Sequence, residues 1–137
     1  MIKKSLILLL LVVSTMKLSA QNNKLLGTWE SKDRDLPVQM ILDERGFITF
    51  RSNGILMGGV GYNIDGEMLR MTYKIIKDRS KMKISITIRD LLKKEILKRD
   101  TGSIEFLDSN NIKMCFKRTL QESNSVANDC RYFLKID

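Results

Sequence analysis

The chain has 137 residues, of which 43% are hydrophobic and 29% are charged, and its formal net charge is +8. That length suffices for one compact domain and is too short for two. The sequence contains no histidine, which excludes Ser-His and Cys-His nucleophiles and histidine metal sites, so we expect no enzyme activity, no cofactor and no metal.

The N-terminus has the three parts of a secretory signal. Lys3 and Lys4 form a charged start, residues 6–13 are apolar without interruption, and residues 18–20 read Leu-Ser-Ala. A short apolar centre that ends in small residues is typical of a signal peptide and is shorter than a membrane-spanning helix. We therefore predict cleavage after Ala20.

Cleavage at this point divides the chain into a signal peptide, residues 1–20, and one domain, residues 21–137. The alternative is a retained membrane anchor, which Ser14 and Lys17 disfavour because they interrupt the apolar run too early. We expect an exported protein, periplasmic or extracellular, with no stable membrane insertion after cleavage. The sequence does not distinguish the periplasm from the exterior.

The charge of the mature domain is modest. Three lysines leave with the signal peptide, so 21 basic residues remain against 16 acidic ones, a net charge of +5. The remaining basic residues are scattered rather than gathered on one segment with interleaved aromatic residues, so we expect no nucleic acid partner.

The mature sequence has the two-residue period of strands. Ile84, Ile86 and Ile88 alternate with polar residues, which places the three isoleucines on one face of a half-buried strand. Less regular strands are predicted over residues 38–42, 47–51, 60–64, 68–76, 103–107, 112–117 and 131–136.

Short runs of turn-forming residues separate these segments. The clearest is Asp65-Gly66, because a two-residue hairpin turn needs positive φ, which Asp and Gly tolerate. Further turns are predicted over residues 44–46, 52–54, 78–80, 100–102 and 108–111. A meander of this kind would leave exposed edges unless the sheet closes. We predict an all-β fold, a single up-and-down antiparallel β-barrel of about eight to ten strands.

Two segments leave alternatives open. Residues 91–98 fit a helical turn, since Leu92 and Ile96 stand four apart, or a strand, which we favour. The glycine-rich run over residues 58–61 fits a bulge or barrel corner, with a flexible portal as the alternative.

Two cysteines, Cys115 and Cys130, remain in the mature chain. In an oxidising compartment we expect them to form a disulfide, with two buried free thiols as the alternative. The bond would close a loop of about 15 residues.

The first mature strand carries a family resemblance. Residues 27–29 read Gly-Thr-Trp after a short apolar lead-in, residues 48–54 read Ile-Thr-Phe-Arg-Ser-Asn-Gly, and residues 61–66 read Gly-Tyr-Asn-Ile-Asp-Gly. This pattern resembles the small secreted lipocalin-like (calycin-type) domain proteins found in Bacteroidetes. The resemblance implies that Trp29 closes the barrel floor beneath a basic side chain, for which Arg118 is the candidate and Arg131 the alternative.

The same resemblance implies a carrier-type binding protein for a small hydrophobic ligand. The candidate interior residues are Met57, Met71, Tyr73, Ile84, Ile86 and Phe106. Methionines suit irregular guests and also fill a core without any guest, and the chain lacks the Thr-Asp-Tyr turn of that family, which favours a filled interior. The alternative function is a non-catalytic interaction or inhibitor module that contacts an envelope or secreted protein.

Overall fold

The structure, a computed structural model, describes residues 24–33, 35, 37–119 and 126–137, with the side chains of 118, 119, 126 and 127 excepted. The predicted signal peptide, residues 1–20, lies outside the described residues.

The described chain is built from ten strands, which agrees with the predicted all-β class. Alternating apolar residues make one face of most strands buried, as expected for a sheet that wraps around a core. The strands are β1 (Gly27–Ser31), β2 (Gln39–Leu42), β3 (Ile48–Ser52), β4 (Ile55–Gly58), β5 (Tyr62–Ile64), β6 (Glu67–Asp78), β7 (Lys81–Asp90), β8 (Glu95–Asp108), β9 (Asn111–Thr119) and β10 (Val126–Lys135).

All ten strands belong to one antiparallel sheet in the order β4-β3-β2-β1-β10-β9-β8-β7-β6-β5. The first and last strands pair with each other, with Trp29 opposite Lys135 and Ser31 opposite Phe133. Each strand also pairs with its sequence neighbours, except that β4 and β5 form the two ends of the sheet. The sheet is therefore a nearly closed barrel, whose seam lies between β4 and β5.

Strand β6 bridges part of this seam. The backbone N–H of Met71 donates to the carbonyl of Gly59 at 3.0 Å, and that of Tyr73 donates to the carbonyl of Gly46 at 2.9 Å. The Tyr73 hydroxyl donates to the carbonyl of Asp43 at 2.8 Å. Burial, together with the Asp43 charge, raises the pKa of Tyr73, which keeps this donor protonated.

Glycines make the seam contacts possible. Gly58 and Gly59 adopt φ of 107° and 79°, a region that L side chains rarely enter. Gly58 also lies against the backbone carbonyl of Ile48, where a Cβ would clash. The glycine-rich run is thus a barrel corner, the first of the two predicted alternatives.

Several predicted turns are confirmed by backbone conformation. Asp65 and Gly66 have φ of 50° and 81°, and Asn53 and Gly54 have φ of 51° and 75°, the paired positive angles of a tight two-residue hairpin. The second of these turns leads into β4, a strand that the sequence analysis did not predict.

The turn predicted over residues 100–102 is wrong. Strand β8 runs through it, with Thr101 opposite Ser85 and Gly102 opposite Ile84. Gly102 serves a close approach instead, because a Cβ there would lie 2.7 Å from the Phe116 ring.

Residues 91–98 divide between the two interpretations that the sequence left open. Residues 91–94 form a turn, and β8 begins at Glu95. The buried Asp90 carboxylate holds this turn, since its Oδ1 accepts backbone N–H bonds from Leu92 at 2.9 Å and Lys93 at 3.0 Å.

One hydrophobic core fills the barrel around Trp29. The Trp29 side chain is fully buried, and its Nε1–H donates to the carbonyl of Leu25 at 2.9 Å. The other buried core residues are Leu25, Met40, Leu42, Ile48, Met71, Ile84, Ile104, Ile112, Met114 and Phe133.

The expected disulfide is present. Cys115 and Cys130 stand opposite each other in the β9–β10 ladder, their Cα atoms are 4.0 Å apart, and their sulfurs are bonded. The bond fixes the hairpin that carries the last strand to its pairing with β1.

Removal of this bond provides a test of its contribution. The double variant Cys115→Ala/Cys130→Ala should unfold with a free energy lower by about 3 kcal/mol, because the unfolded chain regains the entropy of a 15-residue loop. Urea denaturation measures the difference in the free energy of unfolding between the double variant and the oxidised parent. The reduced parent, which also lacks the bond, should be about as stable as the double variant. Equal stability of the double variant and the oxidised parent would contradict this expectation.

The seam provides a second test. Tyr73→Phe removes the hydroxyl that bonds the Asp43 carbonyl, so the free energy of unfolding should fall by about 1 kcal/mol. Tyr132→Phe is the control, because the Tyr132 side chain is 43% exposed and lies away from the seam. Thermal unfolding of the two variants should show a lower midpoint for Tyr73→Phe alone.

Candidate functional site

A half-open groove of about 1060 Å³ lies beside Phe106, whose ring contacts Trp29. The hairpin of β6 and β7 forms one side, β8 and the turn after it form the other, and Lys24 lies at the N-terminal border. The lining residues are Lys24, Lys77, Arg79, Ser80, Lys81, Met82, Lys83, Ser103, Ile104, Glu105, Phe106, Asp108 and Ser109.

The lengths of β6 and β7 create this groove. The backbone bonds that β6 makes across the seam end at Tyr73, which bonds to Gly46 in the β2–β3 turn. Strand β6 continues to Asp78 and pairs with β7 from Leu69 onward. The last turn of this hairpin therefore extends past the β2–β3 turn. Arg79 occupies the tip with φ of 56°.

The floor of the groove is apolar. Met82 and Ile104 are opposite each other in the β7–β8 ladder, and Phe106 lies two residues along the same face of β8. The Phe106 ring packs against the Trp29 indole with centroids 6.5 Å apart and planes inclined by 60°. The groove thus reaches the outer layer of the core.

Basic side chains outnumber acidic ones around this floor. The groove is bordered by five basic residues, Lys24, Lys77, Arg79, Lys81 and Lys83, and by two acidic residues, Glu105 and Asp108. Lys83 lies 3.9 Å from the Asp78 carboxylate. Among the described residues, Lys24, Arg79 and Lys81 form no ion pair. Asp78 stands opposite Lys81 in the β6–β7 ladder.

The Asp108 carboxylate is already engaged. It accepts hydrogen bonds from the Asn110 backbone N–H at 2.8 Å and from the Asn111 Nδ2 at 2.9 Å. These bonds, with that of the Asn111 side chain the strongest, lower the pKa of Asp108. Asp108 therefore holds the β8–β9 turn and stays ionised, so it remains a negative charge at the border of the groove.

A second cavity, of about 170 Å³, lies in the other half of the barrel. Phe50, Met114, Phe116 and Phe133 form its apolar walls, and Asp129 and Arg131 line it as well. This volume is below the range of about 300–1,000 Å³ that is usual for small-molecule sites.

The predicted ligand residues are dispersed in the structure. Met71 and Ile84 are buried in the core, and Tyr73 and Ile86 are partly buried against it. Met57 lies on β4 opposite Phe50 and is 42% exposed. Of the six, Phe106 alone lines the larger groove.

The basic rim was missed by the sequence analysis, which assigned residues 78–80 only as a turn. The signal was a basic residue at every second position from Lys77 to Lys83. This pattern indicates a site only when the hairpin is seen to extend beside an apolar surface, which the sequence alone does not show.

A basic side chain lies over Trp29, as the family resemblance implies, and it belongs to Lys135. The Lys135 amine is 5.7 Å from the indole centroid, within the range of cation–π attraction. The side chain of Arg118, the predicted candidate, lies outside the described side chains. Arg131, the alternative, lines the smaller cavity.

The described residues contain no helix long and apolar enough to cross a lipid bilayer. In this same part of the chain, no three His, Cys, Asp or Glu side chains lie close enough together to hold a metal ion.

The contact over Trp29 predicts a small loss of stability. Lys135→Gln should lower the free energy of unfolding by about 0.5–1 kcal/mol, because the charge over the indole is removed. Arg118→Gln is the matched comparison. A larger loss in Arg118→Gln than in Lys135→Gln would instead favour the assignment made from the resemblance.

Comparisons with known proteins give no family. No protein-family model matches the chain, and no curated protein matches it. Among solved structures, it is similar to the crystal structure of Treponema pallidum Tp0751 (pallilysin), with a TM-score of 0.49 and 13% sequence identity over 85% of this chain and 83% of that one. A likeness of this degree carries no conclusion about function.

Proposed function

We propose that the chain is an exported, non-catalytic, lipocalin-like protein that binds a small, largely hydrophobic molecule in the groove of the β6–β7 hairpin. The observation that carries the proposal is the groove itself, about 1060 Å³ with Met82, Ile104 and Phe106 as its floor. Concave sites with a mainly apolar lining and a few polar groups are the usual form of small-molecule sites.

Export is supported by two features that are independent of the groove. The first 20 residues have the charge and apolar pattern of a signal peptide. The disulfide of Cys115 and Cys130 persists in oxidising compartments and is rare in the cytosol.

A non-catalytic role is supported by composition. The sequence lacks histidine, the commonest general base. Burial raises the pKa of Tyr62 and of Tyr73, which keeps both hydroxyls protonated, and the Tyr73 hydroxyl holds a structural contact with the Asp43 carbonyl.

The single tryptophan provides the measurement. Trp29 lies 6.5 Å from Phe106, so a ligand on the groove floor should change its fluorescence. Titration with a neutral hydrophobic probe, dodecyl maltoside below its micelle concentration, should give a saturable change. Met82→Glu places a carboxylate on the apolar floor of the groove and should weaken binding about tenfold, the equivalent of about 1.4 kcal/mol.

Met57→Glu is the matched control for this experiment. Met57 is 42% exposed on β4 and does not line the groove. Equal effects of the two variants, or no saturable change in the parent, would contradict the proposal. Native mass spectrometry of protein from its own host gives a second readout, a bound small molecule.

A second candidate function rests on the seam. Ile55, Leu56 and Met57 on β4 are 65%, 54% and 42% exposed. Residues 55–64 contain no charged side chain. An uncharged apolar edge strand is a typical site for pairing with another chain. This interaction module predicts that Leu56→Lys abolishes binding to a protein partner and leaves the Trp29 titration unchanged.

A further inference from the structure

We propose that the groove selects anionic amphiphiles, molecules with one hydrocarbon chain and a carboxylate or phosphate head. This inference rests on the proposed function and adds the chemistry of the head group. The argument comes from the charges that surround the apolar floor.

The cations that border the groove are only partly neutralised within the described chain. Lys83 is near Asp78 at 3.9 Å, and Glu105 stands opposite Lys113 in the β8–β9 ladder. Asp108 keeps its negative charge, because the Asn110 and Asn111 groups that donate to it are neutral.

Three cations remain without an ion-pair partner among the described residues, namely Lys24, Arg79 and Lys81. They border the groove from its N-terminal side and from the tip of the hairpin. Positive charges beside an apolar wall create a field that concentrates anions, because the low-dielectric wall focuses it.

The residue types favour an oxyanion. A guanidinium donates two parallel hydrogen bonds to a carboxylate or a phosphate, and an ammonium adds a compact charge. Arg79 and Lys81 are two residues apart at the hairpin tip, and Ser80 between them carries a hydroxyl that also borders the groove. The head group would therefore lie at the tip, with the chain against Met82, Ile104 and Phe106.

Four ligands with the same dodecyl chain distinguish the contribution of the head group to affinity from that of the hydrocarbon chain. Dodecanoate and dodecyl phosphate carry the two anionic heads, dodecyl maltoside is neutral, and dodecyltrimethylammonium is cationic. The Trp29 titration uses the full mature protein and ligand concentrations below the micelle concentration. Both anions should bind at least about tenfold more tightly than the neutral and the cationic ligand. This factor is the combined effect of two or three partly screened charge contacts.

The charge contribution should depend on salt and on the named cations. Raising ionic strength from about 0.1 M to 1 M shortens the screening length from about 10 Å to 3 Å, so the preference for anions should shrink. Arg79→Gln/Lys81→Gln should weaken anion binding about three- to tenfold, and should do so by a clearly larger factor than any change in dodecyl maltoside binding. Both side chains are exposed, so the fold should tolerate the change.

Lys93→Gln/Lys94→Gln is the charge-matched control. It removes two positive charges from the exposed β7–β8 turn, at the opposite end of β7 from the groove, and should leave all four affinities unchanged. Glu105→Gln should strengthen anion binding by about twofold, because an acidic neighbour is neutralised. A series from octanoate to dodecanoate should gain about fourfold for each CH₂ that enters the groove.

The outcomes separate this proposal from the one on which it rests. Equal binding of all four dodecyl ligands overturns the head-group selection and leaves the hydrophobic site standing. Binding of none of them overturns both. Inhibition by acetate or inorganic phosphate as strong as by dodecanoate overturns the amphiphile and indicates a simple anion site.

Discussion

Pairing between β1 and β10 is the constraint on which the barrel depends. It joins the two terminal strands of the described chain, so the sheet has no free edge there. It also places Trp29 directly opposite Lys135, which brings the Lys135 amine over the indole and closes the floor of the core. The disulfide then ties β10 to β9, so the register of the closing ladder extends into the next hairpin.

The same pairing shows why local sequence does not reveal that Lys135 lies over Trp29. The role of Arg118 stays a prediction, because its side chain is outside the described side chains. The two-residue period shows that Arg131, Phe133 and Lys135 share a face of β10. It does not show which of them stands opposite Trp29, because register between distant strands depends on the whole sheet. Arg131 lies four residues from that position, about 13 Å along the strand.

Other elements show where local sequence is sufficient. The Asp65-Gly66 turn and the alternating isoleucines of β7 follow from short-range rules, and both are present. Residues 100–102 carry the same turn-forming types, yet they continue β8, because β7 pairs with them and Gly102 accommodates the Phe116 ring. The groove could not be predicted from local sequence either, because it depends on how far the β6–β7 hairpin extends beyond the neighbouring strands.

The two cavities differ in size and in charge. Methionine and isoleucine side chains fill much of the interior, where the second cavity is only about 170 Å³. The larger groove is bordered by the β6–β7 hairpin, which carries four of its five basic residues. Phe106 belongs to both the interior and the groove, since it packs on Trp29 and lines the groove.

The backbone of Arg79 has a consequence for how such a chain evolves. Its φ of 56° is a left-handed conformation, which costs an arginine more than a glycine or asparagine. Selection for turn stability alone would replace arginine at this position. If related chains keep a basic residue at this position, the positive charge at the hairpin tip is selected despite its cost in stability. A comparison of related sequences would show this.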